Sequence, residues 1–236
     1  MKSKTWMVMA STLGLVGVCL AGGQKWDVPY WDNTQSNPYT NADGVVWSVR
    51  GATNNIGYAG DPTPGALYAE PVGLMTWLDN MWQGQVAGSQ GVRPMRMNFG
   101  SYTLRSSMCW EGLLYPAALM IRVPKSGEYS LYGTLMIVQS EGGSADVRIG
   151  HYDADNAWHP LYENLYTFSA GGGITRTTNL TAIAAMQKMK LAEGDLLAFI
   201  ITAYNWYYTP ALDFTGSGDP VGIEWIPPRG SVICIQ

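Results

Sequence analysis

Apolar residues along this chain recur at every second position far more often than at every third or fourth, so the pattern predicts strands. From Glu128 to Val138 the odd positions Tyr129, Leu131, Leu135 and Ile137 make one apolar face, with Gly133 in line. The even positions start polar at Ser130, Tyr132 and Thr134 and turn apolar at Met136 and Val138. After the turn Glu141-Gly142-Gly143-Ser144, the residues Ala145, Val147 and Ile149 alternate with Asp146 and Arg148. That combination predicts a hairpin with one wet face. Upstream, Leu119, Ile121 and Val123 alternate with Met120 and Arg122 until Pro124 stops the run. Leu196–Ala203 is apolar on both faces, which predicts a central strand covered on each side.

Further strands are predicted at Val45–Arg50, Gly73–Leu78, Pro94–Asn98, Tyr102–Cys109, Trp158–Tyr162 and Val221–Ile226. Leu180–Lys190 holds the one helical signal, with Leu180, Ile183, Ala184 and Met189 suiting a single short turn before the next strand. The stretch Gln24–Gly91 is irregular and reads as a strap around the rest. About ten short strands with Gly, Pro, Asn and Asp punctuation predict an all-β fold, a two-sheet antiparallel β-sandwich wound as a jelly roll. No repeat or Pro/Ser linker divides it, so residues 24–236 are expected to form one domain.

Several segments then carry a resemblance. In chain order they are Gly44-Val45-Val46-Trp47-Ser48, Val123-Pro124-Lys125-Ser126-Gly127-Glu128-Tyr129 with Gly133, Leu191-Ala192-Glu193-Gly194-Asp195 with Phe199, and Asp213-Phe214-Thr215. From Val45 to Ile226 the chain resembles a family of secreted bacterial jelly-roll domains similar to carbohydrate-binding modules. The early Asn37-Pro38 matches as well, although Tyr39–Asp43 sets it apart from Trp47, and Pro227–Gln236 has no counterpart. These motifs are structural corners. The resemblance implies a non-catalytic extracellular module and transfers no ligand residue.

Composition adds the compartment. Lys2 and Lys4, the uncharged stretch Trp6–Leu20 and the small residues Ala21-Gly22-Gly23 form the pattern of a secretory signal peptide over residues 1–23. The apolar stretch is shorter than the ~18 residues of a membrane span. Cys19 is the residue that lipoprotein processing would modify, but Val18 occupies a position where that signal carries a small residue. Secretion, extracellular or periplasmic, is the expectation. The whole chain of 236 residues has a net charge of −4. Loss of the two leader lysines leaves 12 cationic against 18 acidic side chains, a net charge of −6. An acidic chain without a basic cluster speaks against nucleic acid as a partner. Cys109 and Cys234 remain after export, and an oxidising compartment leaves them either as a disulfide or as two buried thiols.

Chemistry-bearing motifs are sparse. His151 and His159 lack triad or metal spacing, and no Gly-x-Ser-x-Gly elbow occurs. His151 shares the parity of the apolar positions and reads as a strand-end residue, while His159 reads as a turn residue. Glycoside hydrolysis needs two facing carboxylates, and the acids Asp27, Asp32, Asp43, Asp79, Glu111, Asp153, Asp155 and Glu224 carry no signal of such a pairing. No enzyme activity is expected, and a small secreted glycosidase or lyase is the open alternative. Asp153, Asp155 and Asn156 place three oxygen donors in four residues, which suits either a structural Ca²⁺ or a connecting turn.

The aromatics carry the sharpest signal. Trp26, Tyr30 and Trp31 form one set, Trp77 and Trp82 a second, and Trp47, Trp110, Trp158 and Trp225 sit in strand-like runs that suit packing. Tyr204, Asn205, Trp206, Tyr207 and Tyr208 follow the apolar strand directly. Strand side chains alternate between faces, so four rings in five positions do not all enter one core. Flat rings with adjacent hydrogen-bonding groups suit sugars. The expectation is an exported, non-catalytic binder of a polysaccharide or glycan at Tyr204–Tyr208. The alternative is a cell-surface or extracellular structural protein that self-assembles as a homo-oligomer through jelly-roll faces.

Overall fold

The alternating segment around Glu128–Val138 is realised as two strands that enter different sheets. The computed structural model describes residues 23–30, 32–51, 74–78, 81–83, 96–98, 102–108, 114–139, 142–169, 174–204 and 210–227. Among these residues one layer is a six-stranded antiparallel sheet. Its order is β14 (Trp158–Phe168), β13 (Gly143–Tyr152), β17 (Leu196–Ala203), β10 (Ala117–Arg122), β3 (Val46–Gly51) and β2 (Tyr39–Thr40).

The facing layer consists of two sheets. One runs β1 (Gln24–Asp27), β19 (Gly222–Ile226), β11 (Gly127–Tyr132) and β16 (Met189–Leu191). The other runs β15 (Ile174–Asn179), β12 (Thr134–Gln139), β18 (Ala211–Asp213), β7 (Thr103–Arg105), β6 (Arg96–Asn98), β5 (Met81–Gln83) and β4 (Thr76–Leu78). The pair β8 (Ser107–Met108) and β9 (Leu114–Tyr115) stands apart. From β10 onward the chain alternates between layers: β11 and β12 face β10, β13 and β14 return, β15 and β16 cross, β17 returns, and β18 and β19 cross again. This is jelly-roll winding of an all-β sandwich.

The core lies between the layers. Trp47, Val49, Leu119, Ile121, Val147, Ile149, Leu197 and Phe199 come from one side, and Tyr129, Leu131, Leu135, Ile137, Leu212 and Ile223 from the other, all buried. Phe199 and Phe214 meet edge to face with centroids 5.5 Å apart. As its two-sided apolar pattern requires, every residue of β17 is buried. Its outward residues Leu196, Ala198 and Ile200 join Ala118, Met120 and Tyr152 in a second buried cluster.

Three sequence expectations change in detail. The Trp158–Tyr162 strand continues to Phe168 through Glu163 and Asn164, because an edge strand answers to only one neighbour and tolerates polar residues. The strand β15 falls in the Thr-rich Ile174–Asn179 segment, which lacks an apolar alternation to signal it. The helical signal becomes two 3₁₀ turns, Leu180–Ala182 capped by Asn179 and Ala184–Met186, each held by an N–H to the carbonyl three residues back. The N-terminal strap gives β1 and β2 to the edges of opposite layers, with Trp26 in the core and its Nε1 donating to Asp43 at 2.8 Å. Residues 1–22, with Cys19, lie outside the described residues, as do Trp31, Asp79, Cys109, Trp110, Glu111 and Cys234.

Gly133 marks the junction of β11 and β12 at φ +87°, and a Cβ there would sit 2.1 Å from the Pro220 carbonyl oxygen. Gly133→Ala is therefore expected to destabilise the fold by about 2–4 kcal/mol through backbone strain and forced displacement. Urea titration with an unchanged m-value checks it; a loss below about 0.5 kcal/mol contradicts the close approach.

Candidate functional site

The strand β13 puts Ser144, Asp146 and Arg148 on one face because successive side chains alternate, and Ala145, Val147 and Ile149 occupy the core side. That outer face bears an open cleft of about 450 Å³, lined by these three residues with Leu165 and Tyr204. Leu165 stands opposite Asp146 on β14. Tyr204 continues the line of β17, and its backbone N–H donates to the Ser144 carbonyl at 2.9 Å. Arg148 Nε donates to Asp146 Oδ2 at 2.6 Å, with side chains only 14% and 10% exposed. A planar guanidinium and a carboxylate held in this way present donors and acceptors in fixed directions. Leu165 is 60% exposed beside them. Further along the same face, Tyr152 and Trp158 pack with ring centroids 4.9 Å apart.

Of the predicted aromatic run, Tyr204 lines this cleft, whereas Asn205, Trp206, Tyr207 and Tyr208 lie outside the described residues. Ser144, Asp146, Arg148 and Leu165 are not among the predicted site residues; the strand parity that makes Asp146 and Arg148 a wet face is the one sequence signal that points to this lining. Trp26, Trp47 and Trp82 are buried, while Tyr30 is exposed.

At the other end of the β13–β14 hairpin, His151 and His159 are cross-strand partners whose rings stack at 4.6 Å and 18°. His159 is thus in a strand, not a turn. Its Nε2 meets Asp153 Oδ2 at 2.7 Å, while Asp153 Oδ1 accepts the N–H groups of Asp155 (3.0 Å) and Ala157 (2.9 Å). Asn156 takes the left-handed conformation at φ +59°. Asp153 thus has both oxygens engaged by the turn and His159, and Asp155 and Asn156 are exposed. Among the described residues no three His, Cys, Asp or Glu side chains gather as a metal site.

Other acids are engaged singly. Asp27 accepts from the Tyr132 hydroxyl at 2.6 Å, Asp32 from Thr34 at 2.7 Å, and Glu224 meets Lys25 at 3.5 Å. The side-chain hydrogen bond from Thr34 holds the Asp32 carboxyl below its ordinary range, the opposite of what a general acid requires.

Comparisons with known proteins find similarity to solved structures alone. No family model matches it, and no curated protein matches it. Among solved structures, a family 30 carbohydrate-binding module is similar at 11% identity and a TM-score of 0.33, over 69% of this chain and 83% of that one. The Eiger TNF of S. frugiperda has 13% identity and a TM-score of 0.33, over 84% and 94%. TmCBM61, solved with beta-1,4-galactotriose, has 7% identity and a TM-score of 0.29, over 51% and 67%. No ligand or role passes from them to this chain. Among the described residues no helix is long and apolar enough to cross a membrane.

The histidine stack sets a pH dependence. Burial, reinforced by the neighbouring His159, lowers the pKa of His151, against smaller opposing effects of Asp195 and Asp153. The folded state therefore takes up this proton less readily than the unfolded chain, and its contribution to stability is lost as pH falls through about 6.5. The Tm is expected to drop between about pH 7.5 and 5.5, and His151→Phe should flatten that drop. A scanning calorimetry series with parallel slopes for the two proteins contradicts it.

Proposed function

We propose that this chain is an exported, non-catalytic glycan-binding β-sandwich, with the outer-face cleft of the six-stranded sheet as its recognition surface. The observation that carries the reading is the Asp146–Arg148 pair, held in the cleft between an exposed Leu165 and Tyr204. A sugar offers hydroxyls to fixed donors and acceptors and a C–H face to apolar or aromatic side chains. The cleft supplies both kinds of surface on an element braced by β14 and β17. The leader-like start of the sequence supports export.

The test is a glycan array followed by affinity gels. Removing one partner of the pair would strand a desolvated charge, so the informative variant is Asp146→Leu with Arg148→Met, which replaces both with apolar groups. This double variant and Tyr204→Ala are each expected to weaken glycan binding at least tenfold while the fold is kept. Absence of binding across the array, or binding untouched by both variants, contradicts the proposal.

A second reading, self-assembly, rests on β14. Among the described residues this 11-residue strand pairs with β13 alone, and Leu165 is 60% exposed on it. Unpaired edge N–H and C=O groups are a template for another chain. On this reading light scattering at high concentration reports a dimer or larger that Leu165→Lys disperses, whereas a monomer at all concentrations excludes it.

A further inference from the structure

The facing layer carries a second concavity, of about 700 Å³, lined by Glu128, Lys188, Lys190, Leu191, Ile226 and Pro227. It is built from one cross-strand row. Lys190 on β16 is opposite Glu128 on β11, and Glu128 is in turn opposite Ile226 on β19. Lys188, two residues before Lys190, joins the row from the loop that leads into β16.

That loop is held with unusual care. Lys188 adopts φ +56°, a left-handed conformation that strains a residue bearing a side chain. Its N–H donates to Ser130 Oγ at 3.0 Å. The preceding Gln187 donates from Nε2 to the Leu131 and Leu180 carbonyls at 3.0 and 3.2 Å. Strain maintained by surrounding hydrogen bonds is a reason to look for a function.

The lysines of this layer divide sharply. Lys25 has Glu224 at 3.5 Å and the Tyr132 ring at 5.0 Å. Lys125 has Gln24 at 3.2 Å and the Trp225 ring at 3.4 Å. Among the described residues the ammonium groups of Lys188 and Lys190 have neither an ion-pair nor a hydrogen-bond partner. In a chain of net charge −4, two unengaged cations share one hollow with an apolar floor.

We propose that this hollow binds a carboxylated glycan, a linear polysaccharide of uronate units. The two ammonium groups take sugar carboxylates, Glu128 accepts sugar hydroxyls, and Ile226 and Pro227 meet ring C–H faces. Charge complementarity selects an acidic ligand, and Glu128 in the middle of the row selects against a dense polyphosphate. Nucleic-acid surfaces use basic stripes, which two lysines on one strand line beside a carboxylate do not make. This site is on the opposite layer from the Asp146–Arg148 cleft and takes a charged ligand.

The experiment is affinity electrophoresis of the full chain in polygalacturonate, in its methyl ester, and in polyuridylate. Retardation is expected in polygalacturonate, at least tenfold weaker in the methyl ester, and at least tenfold weaker for Lys188→Gln combined with Lys190→Gln. Because Lys188 is conformationally constrained, lysine acetylation of the unaltered protein gives an independent reading. Polygalacturonate should protect Lys188 and Lys190 and leave Lys125 unprotected. Absence of retardation, equal retardation in the methyl ester, an unaffected double variant, unprotected Lys188 and Lys190, or tighter binding of polyuridylate each overturns the proposal. Asp146→Leu with Arg148→Met should keep polygalacturonate retardation, so failure of one site is distinguishable from failure of the other.

Discussion

The approach of Gly133 to the Pro220 carbonyl, closer than any Cβ allows, governs the shape of the facing layer. Three neighbouring strand lines break at this level. The line β11–β12 breaks at Gly133, β18–β19 between residues 214 and 221, and β15–β16 across the two 3₁₀ turns. A break in a ladder frees backbone groups that burial would penalise, and the crease satisfies them. Leu180 N–H donates to the Gly133 carbonyl, Thr134 N–H to the Asp219 carbonyl, and Gln187 Nε2 to Leu131. The layer can therefore change direction while both halves keep their inward residues on one core. Lys188 and its left-handed backbone are a product of the same crease.

The six-stranded sheet meets no comparable break. Its one irregularity is the register shift between Ile149 and Gly150, where the β13–β14 hairpin accommodates one extra residue. On one side of that shift β13 presents Asp146 and Arg148, and on the other side lie the His151–His159 stack and its turn. The Asp146–Arg148 pair is an expensive feature to keep. A desolvated ion pair often contributes less to stability than apolar residues of similar volume, whereas the more exposed Lys25–Glu224 pair costs and contributes little. A costly polar pair at the base of an open cleft is easier to explain by what it recognises than by what it stabilises.

Much of this architecture was legible. Period-two alternation located β10, β11, β12 and β13, and the two-sided apolar run identified β17 as central, because burial on one or both faces leaves that imprint. The corner Val123–Tyr129 was also readable. There Tyr129 donates its hydroxyl to the Lys125 carbonyl at 2.6 Å, and Ser126 Oγ accepts the Glu193 N–H at 2.9 Å, which ties the corner to the Gly194-Asp195 turn. Edge elements left no such imprint. Thr175, Thr177 and Thr178 of β15 and Glu163 and Asn164 of β14 answer to solvent on one side, so hydropathy does not announce them. For the sites, strand parity exposed Asp146 and Arg148 as a wet face, yet their pairing with Tyr204 depends on β13 and β17 being neighbours although their residues are far apart in sequence. The Lys188–Lys190 hollow was invisible, since a lysine on a surface strand has the same sequence signature whether or not it has a partner.

The two concavities lie on the outer faces of opposite layers, and sheets stack about 10 Å apart before outward side chains are added. Substitutions at that separation without shared partners add with little coupling. Between them is an apolar core whose large members, Trp47, Tyr129, Phe199 and Phe214, are close-packed, so altering one outer face need not move the other. A sugar run in the Asp146–Arg148 cleft and an acidic one in the Lys188–Lys190 hollow would then bind independently. A polysaccharide bearing both kinds of segment would gain through effective concentration where its length spans the sandwich, an advantage that two sites on one face would not offer to a chain wrapping the domain.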